Sequence, residues 1–210
     1  GALNGAAGNI ALGNLSLSAI TSGDDNVAIG YAALMAADGA EDSNVAIGSG
    51  AGMSINNDAS DDNVFIGLYA GKGGTGAIAN SIAIGHGALD GTGTIGTSDS
   101  TFIGKDAGGG SIAGGASGST YNVGIGNYVM DAAMDGALSN TAVGYASLSA
   151  LTSGDYNTIL GNIAGYAITT GGNNIVIGAS AGDAMTTTSS TVLIGSQAGG
   201  AINHNDANGT

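Results

Sequence analysis

The stretch DDNVAIGYAAL, residues 24–34, decides the fold because the chain repeats it. Close variants follow at residues 42–52 (DSNVAIGSGAG) and 61–71 (DDNVFIGLYAG). The glycine of this phrase recurs at intervals of 17 to 22 residues, as Gly13, Gly30, Gly48, Gly67, Gly85, Gly104, Gly126, Gly144, Gly161, Gly178 and Gly195. The eleven copies cover nearly the whole chain. Residues 1–210 are therefore predicted to form a single repeat array without a separate globular domain.

The residues before each glycine have the pattern of a short strand. Counting the glycine as position 0, position −1 is aliphatic in every copy and position −3 is Val, Ile or Thr. Side chains alternate between the two faces of a strand, so these two positions share one face. We expect this face, with Val27 and Ile29 in the quoted copy, to fill the inside of a coil. Position −2 lies on the other face and is never polar: it is Ala11, Ala28, Ala46, Phe65, Ala83, Phe102, Gly124, Ala142, Ile159, Val176 and Leu193.

A strand that is apolar on both faces is typical of one buried on both sides. If one face fills the coil, something else must cover the other. The sequence predicts that a symmetry-related copy of the same chain covers it. The predicted oligomer interface is Ala28, Ala46, Phe65, Ala83, Phe102 and Ala142. A second layer of the same coil is the alternative.

The remaining positions complete the prediction of an all-β, parallel β-solenoid with eleven coils of about 18 residues. Position −4 is Asn in eight copies, which favours side-chain ladders along the stack. The glycine suits a tight corner where a Cβ is excluded. Position +7 predicts a second, weaker strand, with Ile20, Ile55, Leu151, Ile168, Met185 and Ile202. The structural residues named from the first copies are Asn26, Val27, Ile29, Gly30, Asn44, Ile47 and Gly48.

The phrase N-[VT]-[AV]-[IV]-G-x-x-[AS] resembles the head repeats of trimeric autotransporter adhesins, which form a YadA-like left-handed parallel β-roll. It is also similar to longer repeats in phage tail fibres. Residues 140–167, NTAVGYASLSALTSGDYNTILGNIAGYA, carry the resemblance most plainly. The resemblance implies a homotrimeric rod in which the small residues at position −2 pack near the shared axis.

Composition excludes several classes of partner. The formal net charge is −14, and Lys72 and Lys105 are the only basic residues apart from two histidines. A nucleic-acid partner is not expected, because phosphate binding needs clustered Lys and Arg. No apolar run approaches the roughly 18–20 residues of a membrane span, so membrane insertion is not expected either.

Few residues suggest chemistry. His86 and His204 are the only histidines, and there is no cysteine, so zinc sites and nucleophilic triads are not expected. The segment GKGGTG at 71–76 matches a dinucleotide-binding pattern by chance, since no βαβ context follows. Asp24, Asp42 and Asp61 recur at position −6 in successive coils, which suggests a weak Ca²⁺ site or a solvated acidic edge. Seven tyrosines lie at corners and strand starts, including Tyr31, Tyr69, Tyr128, Tyr145 and Tyr156. Exposed tyrosines could stack on the sugar rings of a receptor, or they could pack against the coil or a neighbouring chain.

The sequence therefore predicts a non-enzymatic structural protein, with no cofactor except this possible Ca²⁺. The expected role is a stiff extracellular rod that attaches to a cell-surface glycan or protein receptor, as part of a virion tail fibre or of a cell-surface adhesin. Because the chain opens partway through a repeat, we expect either a section of a longer fibre or, as the alternative, a subunit that stacks end to end into a surface filament. A glycan-processing enzyme on a β-solenoid is a minor alternative.

Overall fold

The computed structural model describes residues 5–91, 96–110 and 118–200. Within these ranges the regular structure is entirely β, with no helix. Eleven strands of three residues each form one sheet, and two strands of two residues form a second. The strands are β1 (Ile10–Leu12), β2 (Val27–Ile29), β3 (Val45–Ile47), β4 (Val64–Ile66), β5 (Ile78–Ala79), β6 (Ile82–Ile84), β7 (Thr97–Ser98), β8 (Thr101–Ile103), β9 (Val123–Ile125), β10 (Thr141–Val143), β11 (Thr158–Leu160), β12 (Ile175–Ile177) and β13 (Val192–Ile194).

The large sheet is parallel and in sequence order, apart from β5 and β7, which pair with each other. Its register aligns equivalent positions of the repeat: Val27 lies beside Val45, and Ala28 beside Ala46. Each chain segment between neighbouring strands of this sheet is thus one turn of a solenoid, with about 18 residues per coil. This confirms the predicted parallel β-solenoid, whose coils stack directly upon one another.

The two faces of the sheet are the reverse of the prediction. The residues predicted at an oligomer interface belong to the hydrophobic core and are fully buried within a single chain: Ala28, Ala46, Phe65, Ala83, Phe102 and Ala142. Position −2 therefore points into the coil, and a second chain cannot contact it. Positions −3 and −1, including Val27 and Ile29, point outward and are partly or largely exposed. The interface prediction was wrong because both faces are apolar, so alternation alone did not say which face is inside.

Side chains of complementary size at positions −2 and +4 fill the interior of the coil. Where position −2 is alanine, position +4 is usually large, as in Ala28 with Leu34. Where position −2 is phenylalanine, position +4 is glycine. A Cβ on Gly71 would lie 2.5 Å from Cγ of Phe65, which occupies the space that a leucine takes in other coils. The narrow interior thus accepts one large side chain per coil in the space shared by positions −2 and +4.

The apolar residues at position +7 complete the core without forming a second strand. The five predicted residues that the structure describes are buried but lie in irregular backbone: Ile20, Ile55, Leu151, Ile168 and Met185. The two-stranded sheet β5–β7 instead lies six or seven residues before the repeat glycine. The predicted second strand was therefore wrong, although its side chains are core residues. Ile202 lies outside the described residues.

The repeat glycine is required by both backbone conformation and space. Gly30 has φ +137°, and a Cβ built on it would lie 2.6 Å from the carbonyl carbon of Gly48 in the next coil. Gly48 meets the following coil in the same way. Each glycine thus lets the chain leave the strand while the next coil lies directly against it, which confirms the predicted tight corner.

Buried asparagines link the coils, as the ladder prediction requires. Oδ1 of Asn26 accepts hydrogen bonds from the backbone N–H of Asn44, at 2.9 Å, and from its Nδ2, at 3.2 Å. Nδ2 of Asn26 donates to the carbonyl oxygen of Glu41 at 2.7 Å. Where serine replaces asparagine, its hydroxyl oxygen keeps the acceptor role: Ser100 Oγ accepts from the backbone N–H of Asn122. The column satisfies buried polar backbone along the stack.

Candidate functional site

The outward face of the eleven-stranded sheet carries an aliphatic stripe. It consists of the side chains at positions −3 and −1, two from each coil. Its most exposed members are Ile10, Leu12, Ile47, Ile82, Ile125, Leu160, Ile175, Val192 and Ile194. The strands are in register, so these side chains form two parallel columns along the stack. We call this surface the aliphatic face.

The acidic residues at position −6 hold the coils together. Oδ1 of Asp42 accepts a hydrogen bond from the backbone N–H of Asp24, and Oδ1 of Asp61 accepts one from Asp42. Asp24 does the same for the N–H of Ala7. In the described ranges, no group of three or more His, Cys, Asp or Glu side chains is placed to hold a metal ion. The structure thus gives these carboxylates a backbone-capping role and does not support the predicted Ca²⁺ site.

Glu41 is a buried carboxylate with one unsatisfied oxygen. Its Oε2 accepts a hydrogen bond from the backbone N–H of Gly39 at 2.9 Å. Its Oε1 is buried and has no hydrogen-bond partner among the described residues. Burial, with a smaller contribution from the charges of Asp38 and Asp58, raises the pKa of Glu41. Its neutral form is therefore favoured by folding.

His86 belongs to a small surface cluster of charged residues. Its Nδ1 lies 3.6 Å from Oδ1 of Asp106, and the other oxygen of Asp106 lies 3.5 Å from Nζ of Lys105. Burial, and next the charge of Asp106, raise the pKa of Asp90. His204 lies outside the described residues. The cluster places a carboxylate beside His86 at the surface, in keeping with a solvated histidine.

Both lysines lie over tyrosine rings. Lys72 Nζ is 5.6 Å from the ring centroid of Tyr69, and Lys105 Nζ is 4.8 Å from that of Tyr128. Lys105 also donates a hydrogen bond to the Tyr128 hydroxyl, and this bond is the main cause of a raised pKa for Lys105. The contact with Tyr128 favours the charged form of Lys105. The sequence did not predict either lysine–tyrosine contact.

A groove with a volume of about 430 Å³ opens beside the second of these tyrosines. We call it the tyrosine groove, and it is lined by Tyr128, Asp131, Tyr145, Ala146, Ser149, Ile163 and Tyr166. The sequence pointed to Tyr128 and Tyr145 as candidates for stacking on sugar rings, but it did not predict that they lie together with Tyr166. The signal was present, because three consecutive coils place tyrosine on the turn after the strand, at positions +2, +1 and +5.

No protein-family model matches the chain, and no curated protein or solved structure matches it either. Within the described residues, no helix is long and apolar enough to cross a membrane. The function is therefore inferred from the surfaces of the solenoid itself.

Proposed function

We propose that this chain is a structural subunit of an extracellular fibre. It forms a stiff rod, as in a phage tail fibre or a cell-surface adhesin, and it presents its outer surface to a cell-surface glycan or protein receptor without catalysing a reaction. This proposal extends the repeat resemblance from architecture to role.

The regular stacking of coils supports a mechanical role. At about 4.8 Å per coil, eleven stacked strands make a rod about 50 Å long. Each step is linked by in-register strand pairing and by the asparagine column, in which serine replaces asparagine in some coils. Aspartate carboxylates add a further link between the first coils. Such a stack resists bending because every coil bonds to its neighbours through backbone and side chains.

The aliphatic face is the observation that carries the proposal. A single chain leaves two columns of Val, Ile, Leu and Thr side chains on a sheet that is about 50 Å long. Contiguous apolar patches larger than a few hundred Å² mark interaction surfaces. Every copy of the chain carries the same aliphatic face. Copies related by rotation about a shared axis parallel to the rods can therefore cover one another's aliphatic faces. We propose a homotrimer assembled through this face.

Oligomeric mass in solution tests this proposal. Sedimentation equilibrium should give three times the 19.7 kDa protomer mass. Ile125→Asp places a charge on the aliphatic face and should dissociate the assembly. The matched control is Tyr121→Asp in the same coil, since Tyr121 is also exposed but lies outside the face. Other coils carry aspartate at its position, as at Asp25 and Asp62.

A monomer at tens of micromolar protein would overturn the proposed assembly. So would equal loss of mass in both variants, because the charge rather than its place would then be responsible.

A subunit of a self-assembling filament is the second candidate, favoured by the regular, in-register stacking of the coils. The same parallel strand pairing that joins coils within one chain can also join one chain to the next. Negative-stain electron microscopy separates the candidates, since filaments of indefinite length support end-to-end stacking and uniform short rods exclude it.

A further inference from the structure

We propose that the tyrosine groove is a binding site for an uncharged oligosaccharide, stacked on Tyr145 and Tyr166 and hydrogen-bonded to Asp131. The inference rests on the proposed function, because it names the contact through which the rod would bind a receptor glycan.

The solenoid does not require aromatic residues at the positions that form the groove. The lining tyrosines occupy positions +2, +1 and +5 in three successive coils. Other coils fold with Ala32 or Gly87 at position +2, and with Met35 or Asp90 at position +5. Tyr145 and Tyr166 remain about half exposed, at 50% and 46%. Their rings therefore add little to the core and are available to a ligand.

The groove is held in shape by the coils beneath it. Backbone N–H groups of Ile163 and Ala150 donate to the carbonyl oxygens of Tyr145 and Tyr166, at 2.8 and 3.1 Å. The ring of Tyr128 meets that of Tyr145 edge to face, with centroids 5.7 Å apart and an angle of 81°. A rigid aromatic wall loses little conformational freedom when a ligand binds, which favours affinity.

A carboxylate and a hydroxyl lie among these rings. Ser149 Oγ donates a hydrogen bond to Oδ1 of Asp131. The second oxygen of Asp131 makes no hydrogen bond or ion pair within the described parts of the chain. An apolar, aromatic lining with a few convergent polar groups is typical of small-molecule sites, which range over about 300–1,000 Å³. The groove falls within that range.

Sugar rings match this combination of surfaces. The C–H faces of a pyranose pack on an aromatic ring, and its adjacent hydroxyl groups donate to a carboxylate. An acidic sugar is disfavoured, because Asp131 faces the site and the chain carries a net charge of −14. A quaternary ammonium ligand is disfavoured too, because the Lys105 ammonium already lies over the ring of Tyr128. An uncharged saccharide remains as the class that fits.

Saturation-transfer NMR with the full chain tests the inference. The probes are neutral disaccharides of glucose, galactose, mannose and N-acetylglucosamine in α and β linkage, with a glucuronic acid disaccharide and choline for comparison. We expect millimolar or tighter binding of at least one neutral probe. Tyr145→Ala, Tyr166→Ala and Asp131→Asn should each weaken that binding about tenfold, equivalent to about 1.4 kcal/mol. The matched controls are Tyr31→Ala and Tyr156→Ala, which remove exposed tyrosines outside the groove and should leave binding unchanged.

Three results would overturn the inference: no binding by any neutral probe, equal weakening by the control variants, or preferential binding of choline or the acidic probe at the groove. Circular dichroism of each variant shows whether the solenoid is intact. Oligomeric mass is measured on the same samples. A trimer that binds no sugar refutes this inference alone, whereas a monomer that binds sugar through the groove refutes the proposed assembly alone.

Discussion

The pairing of sizes inside the coil predicts a strong coupling between Phe65 and Gly71. Phe65→Ala removes a fully buried ring, and such a change costs about 3–5 kcal/mol. Gly71→Leu alone forces a side chain into the space of that ring. It should cost about 1–3 kcal/mol from overpacking and about 1–2 kcal/mol from its positive φ. If the two sites were independent, the double variant would lose about 5–10 kcal/mol.

The double variant should instead lose only the backbone term, about 1–2 kcal/mol. It recreates the arrangement of another coil, in which Ala83 at position −2 faces Leu89 at position +4. Leu89 is fully buried and has φ 53°, so the solenoid already accepts leucine in this conformation. Refilling the cavity removes both the lost contacts and the overlap, which is the signature of a direct contact in a double-mutant cycle.

Denaturant unfolding followed by circular dichroism measures the four proteins of the cycle. The same cycle on Phe102 and Gly108 provides an independent repeat, because a Cβ on Gly108 would also meet the Phe102 ring. Additive losses at both sites, with no coupling beyond about 0.5 kcal/mol, would refute the claim that positions −2 and +4 face each other inside the coil.

Three further predictions concern the columns and the buried acid. Gly144→Ala should lower the free energy of unfolding by about 1–3 kcal/mol more than Gly195→Ala does. Both glycines have positive φ, but a Cβ on Gly144 would meet the backbone of Gly161 in the next coil, whereas the nearest described neighbour of a Cβ on Gly195 is 3.9 Å away. Equal losses in urea unfolding would contradict this. Asn140→Ala should lower the free energy of unfolding by about 1–3 kcal/mol for each buried backbone group left unpaired. Asn140→Ser should lower it less, because the serine hydroxyl still accepts a hydrogen bond. A serine variant no more stable than the alanine variant would exclude the ladder as the cause. Burial raises the pKa of Glu41, so the native state holds the proton more tightly than the unfolded state does. Stability should therefore fall as pH rises from about 4.5 through the raised pKa. Glu41→Gln should flatten this pH dependence in thermal melts, and an unchanged slope would show that Glu41 is not responsible.

The sequence predicted the period, the register and the roles of the glycine and asparagine columns because each repeats in every coil or nearly so. It did not predict the direction of the strand faces. Position −2 is never polar and its neighbours are aliphatic residues or threonine, so period-two alternation separates two faces without showing which one is inside. The deciding signal was the reciprocal size of positions −2 and +4, as in Phe65 with Gly71 and Ala142 with Leu148. Two positions that compensate each other in volume must share one enclosed space.

The contacts between lysines and tyrosines were harder to predict, because they join different columns. Lys105 and Tyr128 are 23 residues apart and occupy positions +1 and +2 of neighbouring coils. Only the register of the stack brings them together. The tyrosine groove has the same origin, since its three rings come from three coils and three different positions. Comparing one repeat position across all the coils shows what the coils share. It does not show clusters that join different positions of neighbouring coils.

The reversal of the faces changes what the repeat implies about assembly. If the small residues at position −2 faced a partner, their size would limit how closely two chains approach, and the phenylalanines would disrupt the contact. With position −2 inside, Phe65 and Phe102 are matched by Gly71 and Gly108 within their own coils, so bulky residues there do not perturb the outer surface. The outer positions −3 and −1 instead keep a uniform set of branched side chains from coil to coil. A partner that contacts all the coils at once therefore meets the same kinds of side chain along the whole rod. Association between identical rods through this face requires such a uniform surface.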